Sequence, residues 1–124
     1  RSIPQKELFS KIVNYDIGFL PMSKNHKVWR IASPLKKAEY LAAGLVVCGI
    51  DHSGHRLKDA DEWLKLFSED DYIHQCSSWI NSMDINNLRE LQNLAREYAI
   101  ENMNWTNSGT VLERKLQEII NQDL

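Results

Sequence analysis

The sequence predicts an α-rich α+β chain. Three observations carry that reading. Apolar residues recur at three- and four-residue steps along most of the 124 residues, the period of one helical face. One short Val- and Ile-rich run, Leu45 to Ile50, departs from that period and reads as a strand. Directly after it, Asp51-His52-Ser53-Gly54 supplies turn chemistry, with Asp first and Gly last. N-terminal helices with a β-hairpin are therefore expected, followed by a C-terminal helical bundle.

Taken in order, Ser2 caps a first helix with Pro4 in its opening turn, and Leu8, Phe9, Ile12 and Val13 share one side. Ile17 to Met22 holds Gly18 and Pro21 and is read as a packed loop. Lys24 to Ala32 fits a strand or a short helix equally. Ser33-Pro34 marks a helix start, and the helix runs to about Ala43, where Gly44 stops it. Leu35, Ala38, Leu41 and Ala42 form its apolar face; Lys36, Lys37 and Tyr40 lie opposite. His55 to Lys58 is expected to return as the second strand of the hairpin. Asp59 to Glu62 and Ser68 to Asp71 each offer a capped helix start, the first with Trp63, Leu64 and Phe67 on its apolar side. Asp84 caps a helix to about Asn104. Asn107 to Thr110 is read as a connection, and Thr110 opens a last helix with Leu112, Leu116, Ile119 and Ile120 on one side. Trp63, Trp79 and Trp105 are candidates for the core.

The net charge of -2 conceals an asymmetry. Residues 1–58 hold ten basic and four acidic side chains, a net +6; residues 59–124 hold five and thirteen, a net -8. The chain therefore divides into a basic helix and hairpin region, 1–58, and an acidic helical region, 59–124, which completes the core of what is expected to be one compact domain. A basic half followed by an acidic half points to a polyanionic partner for the first. No apolar run approaches the roughly 20 residues that a membrane helix needs, and Lys6 and Lys11 interrupt any leader-like stretch. No membrane partner is expected, and a cytoplasmic setting is.

The order helix, uncertain element, helix, strand, turn, strand is compatible with a winged helix-turn-helix unit. There the helix before the hairpin enters the major groove and the hairpin touches the backbone. On that resemblance Pro34 to Ala43 reads the nucleic acid, most simply duplex DNA. Lys36, Lys37 and Tyr40 come from its outward face, His55, Arg56 and Lys58 from the wing, and Lys27 and Arg30, with Lys24 beside them, from just upstream. Cations placed on phosphates release counterions and give salt-sensitive affinity. No side chain on the helix offers the bidentate amide that reads adenine.

This makes the chain a small non-enzymatic regulator without a cofactor. The alternative is a protein-binding adaptor, inhibitor or immunity-type protein presenting Glu69, Asp70, Asp71, Glu90, Glu97 and Glu101 to a basic partner. The two-faced last helix also suits a homodimer. Cys48 and Cys76 each read first as a small buried hydrophobe in a reducing compartment, with pairing of the two as the alternative elsewhere. With His52, His55 and His74 they supply enough ligands for zinc, but their spacing matches no common zinc knuckle. Ile50-Asp51-His52 resembles the Asp-His of ββα-metal nucleases, yet Ala60 to Phe67 carries no Asn or His for a metal, so that family is not assigned. Ser53 beside two histidines reads as turn chemistry rather than as a nucleophile. No P-loop, GxGxxG or GxSxG occurs.

Overall fold

The computed structural model describes residues 2–31, 35–60 and 62–122. The element order is α1 (Gln5–Ile12), β1 (Ile17–Leu20), α2 (Lys27–Ile31), α3 (Leu35–Ala42), β2 (Val46–Ile50), β3 (Leu64–Phe67), α4 (Tyr72–Ser82), α5 (Ile85–Asn102) and α6 (Trp105–Gln122), with one turn of 3-10 helix at Glu69–Asp71. The three strands form one sheet in the order β1-β2-β3, and both pairings are parallel. Ile17 lies opposite Val46, and Val47 opposite Leu64.

Helices lie against both faces of the sheet. β2, Val-Val-Cys-Gly-Ile, is buried throughout, as a central parallel strand covered on two sides must be. Its alternate residues serve different layers. Val47 joins Leu20, Leu41, Leu64, Ala95 and Ala99 in the main core, so α3 and α5 cover that face. Cys48 points to the other face, where it is disulfide-bonded to Cys76 of α4. Tyr72 Oη donates to Cys48 O at 2.7 Å, and Trp79 meets Phe67 edge-on with ring centroids 6.3 Å apart. Gly18 is needed where it stands, because a Cβ there would run into the ring of Tyr40. Gly44, at φ +78, ends α3 in the left-handed region that a side chain disfavours.

The strand at 46–50, the stop at Gly44 and the Asp84 cap all form; Asp84 Oδ1 accepts from Asn87 N at 2.9 Å. Several expectations are corrected. The hairpin is not formed. The chain does turn after Asp51, with His55 N donating to His52 O at 3.0 Å, but residues 55–58 are not a strand. The connection runs back along the sheet, and the next strand, Leu64–Phe67, starts in the same direction as β2. The winged helix-turn-helix arrangement, which requires an antiparallel wing, is therefore not formed among the described residues. Leu64-Lys65-Leu66-Phe67 fits either period over so short a stretch, so the expected helix there is a strand. Ile17–Leu20, expected as a loop, is also a strand. Ser33 and Pro34, the expected cap of α3, lie outside the described residues, as does Asp61.

The faces of α3 are also reassigned. Lys37, Glu39 and Leu41 are its buried residues, while Leu35 and Ala42 are exposed. The helix is clasped by the sheet on one side and α5 on the other, and that wedge selects a different arc from the one apolarity suggests. α6 starts at Trp105, ahead of the expected start at Thr110, because Asn104 Oδ1 accepts from Asn107 N at 2.7 Å. Trp105 is 92% exposed and contributes nothing to the core. No helix among the described residues is long and apolar enough to cross a membrane.

Candidate functional site

Because all three strands are parallel, their carboxyl ends meet at one rim. The chain leaves β1 there through residues 21–26 and α2, re-enters at the start of α3, and leaves β2 and β3 through 51–56 and 68–71. In sheets of this kind, side chains at that rim are aimed at whatever binds in the crevice beyond the strands.

The rim is cross-tied by polar contacts between segments distant in sequence. His52 Nε2 donates to Met22 O at 3.0 Å, while its Nδ1 accepts from Gly54 N at 3.2 Å. Those two partners assign the neutral Nε2–H form. His55 is fully buried; its Nδ1 donates to Ile50 O at 2.7 Å and its Nε2 has no partner. The two imidazoles face each other with centroids 3.9 Å apart. Lys37, 1% exposed, donates through Nζ to Gly54 O at 3.0 Å and His55 O at 3.3 Å. Ser53 Oγ donates to Arg30 O, and Lys24 N donates to Glu69 Oε2 at 3.2 Å. Loop 51–56 is thereby tied to the segment that follows β1, to α2 and to α3 together.

The charges follow from this packing. Burial pushes the Lys37 ammonium down to about 8, since carbonyls compensate only part of what water supplied. Burial also lowers His55, reinforced by His52 and Lys37 and opposed by the Ile50 carbonyl and Asp51. Asp51 is held low chiefly by its hydrogen bonds from Arg56, at 2.8 and 3.1 Å. Glu39 is buried, with Lys36 Nζ 3.1 Å from its Oε2.

The eight residues proposed from sequence for nucleic acid are therefore not one open platform. Lys27 and Arg30 are exposed on α2 at the rim. Lys36 is exposed on the first turn of α3 but is paired with Glu39. Lys37 and His55 are buried and hold the loop. Tyr40 is half-buried over Gly18. Arg56 is exposed but bound to Asp51, and Lys58 lies further along the connection. Among the described residues, Lys27, Arg30 and Lys58 have no ion-pair partner.

Other residues gain a place at the rim. Lys24, expected from the sequence to stand with Lys27 and Arg30 just upstream of the helix, is exposed there, and His26 stacks on the half-open Trp29 with centroids 4.4 Å apart. The one available signal was the density of Lys, His and Trp between Lys24 and Arg30, which had no assigned element to stand on. Beside the rim on the α4 face lies a hollow of about 680 Å³, lined by Pro21, Ile50, Glu69, Asp70, Asp71, Tyr72, Ile73, His74 and Ser77. The zinc grouping is not assembled: Cys48 and Cys76 are bonded to each other, and among the described residues no three His, Cys, Asp or Glu side chains converge. That bond also corrects the reading of two separate buried thiols. No family model, curated protein or solved structure matches the chain.

Proposed function

We propose that the chain binds a small phosphate-bearing ligand of nucleotide size at the carboxyl rim of its sheet. One observation carries the reading: the segment 24–30, which carries Lys24, Lys27, Trp29 and Arg30 in exposed positions, is tied at the carboxyl end of a parallel sheet to loop 51–56 by the bonds from His52 to Met22 O and from Ser53 to Arg30 O, and Lys37 holds that loop in turn. Exposed cations complement phosphate, and an exposed aromatic ring offers a stacking surface to a base. The rigidity of loop 51–56 supports binding because a preformed site loses less conformational entropy when the ligand arrives. Duplex DNA remains the competing ligand, since Lys27, Arg30 and Lys36 would serve it as well.

Thermal-shift and calorimetric titrations with inorganic phosphate, ADP, UDP and a short DNA duplex, repeated across a salt series, test the reading. Saturation with at least one nucleotide at submillimolar concentration, lost in the double variant Lys27→Glu plus Arg30→Glu, is expected. Binding of the duplex with a steep salt slope and none of the mononucleotides would replace the proposal with nucleic-acid binding. Binding of nothing in the panel would sink both.

A further inference from the structure

The outer edge of β1 is unused by the site and is built unlike the other edge of the sheet. Val46 N donates to Asp16 O at 3.1 Å. Parallel pairing alternates, so Gly18 and Leu20 also turn their N–H and C=O groups toward β2. Ile17 and Phe19 turn theirs outward, and among the described residues no other segment pairs with them.

Proteins ordinarily protect such an edge with a charge, a proline or a bulge. The opposite edge strand, β3, carries Lys65. β1 reads Ile17-Gly18-Phe19-Leu20, with neither charge nor proline within it. Its side chains are open as well. α4 lies over β2 and β3, and Phe19, on that face, is 48% exposed. On the α3 face a hollow of about 290 Å³, walled by Ile12, Tyr15, Tyr40 and Leu45, opens beside the same strand.

We propose that the free edge of β1 takes one further parallel strand, an extended polypeptide segment with alternating apolar side chains. One of those side chains enters the hollow beside Tyr15 and the next lies over Phe19. The main-chain groups specify the occupant: outward N–H and C=O groups repeating every second residue are satisfied by an extended backbone, not by a helix or a lipid. Parallel orientation continues the existing pairing. A second copy docking the same edge through a two-fold axis would have to run antiparallel, so the occupant is an extended segment of a different, partner protein.

Amide hydrogen exchange on the whole chain, followed by NMR with blocked peptides of about ten residues that alternate Val or Leu with Thr, tests this. In the free chain, Gly18 and Leu20 amides should exchange slowly and those of Ile17 and Phe19 rapidly. With peptide, Ile17 and Phe19 should gain protection of about 10-fold or more. Phe19→Lys should weaken peptide binding about tenfold, and Phe19→Leu should restore it. If Phe19→Lys fails to fold, the wild-type exchange pattern decides alone. Protection of Ile17 and Phe19 in the dilute free chain, absence of peptide binding, binding indifferent to Phe19→Lys, or antiparallel self-association through β1 would each overturn the proposal.

Discussion

α5 and α6 have the same length, 18 residues each, and both carry an apolar stripe, yet they meet opposite fates. α5 buries Leu91, Ala95 and Ala99. Its alanines let the backbone approach α3, and its exposed end is fixed to Asp16, whose Oδ1 accepts from Gln92 Nε2 at 3.0 Å and Arg89 Nη1 at 2.8 Å. Those bonds, that from Gln92 foremost, hold the Asp16 carboxyl below the usual range. α6 buries no residue, and Leu112, Leu116, Ile119 and Ile120 are all exposed. The contrast teaches that an amphipathic pattern specifies a helix with a side to hide. Whether that side is hidden depends on a surface elsewhere, and small residues on the α5 stripe are what let such a surface come close.

The sharpest way to break this comparison is to truncate one aliphatic side chain on each side of it. Leu41→Ala, in the core that α5 completes, should cost about 2–5 kcal/mol in chemical denaturation, whereas Leu116→Ala on α6 should change stability by less than about 0.5 kcal/mol. Equal losses would mean that α6 is packed in solution. An intermediate effect is expected from pH, and it belongs to the loop that the α3 side holds. Lys37 has its proton affinity lowered to about 8 from the ordinary 10.5, so between those values the unfolded chain binds more protons and stability should rise with pH. His55 is lowered in the same sense, so stability should fall as pH drops through about 6.5, where the unfolded imidazole takes up its proton. Lys37→Met should abolish the alkaline rise and leave the acid loss, a separation that melting curves in overlapping buffers will read. The smallest effect should come from Gly109→Ala. Nothing lies within 4 Å of a Cβ placed there, so the change should stabilise α6 by about 0.5–1 kcal/mol, seen as slower amide exchange within α6 while the core amides are unaffected.

Much of the helical framework was legible in the sequence. The Asp84 cap and the Gly44 stop are local signals satisfied within a few residues; a helix also begins after Ser68 to Asp71, though neither of those side chains caps it, and the apolar run at 45–50 forms the expected strand. The sheet was not legible in the same way. Two of its strands, Ile17–Leu20 and Leu64–Phe67, are four residues long, too short for a period to separate strand from loop or helix. The turn residues 51–54 do turn the chain, but turn chemistry cannot say whether the next strand runs parallel or antiparallel. The site inherited that error: with a hairpin, His55, Arg56 and Lys58 stand on a wing, whereas in the parallel sheet His55 is sealed inside and Arg56 is bound to Asp51.

What the chain determined alone was that it turns after Asp51, that α3 stops at Gly44 and α5 starts at Asp84, and which half carries each sign of charge; these follow from capping, backbone freedom and side-chain ionisation, which act within a few bonds. What only the tertiary structure decided was which lysine is buried, that two cysteines are joined, and which amphipathic helix finds a partner. Those outcomes depend on contacts between segments far apart in sequence, and a lysine such as Lys37 becomes interior only because two loop carbonyls from residues 54 and 55 come to lie within hydrogen-bonding reach of its ammonium.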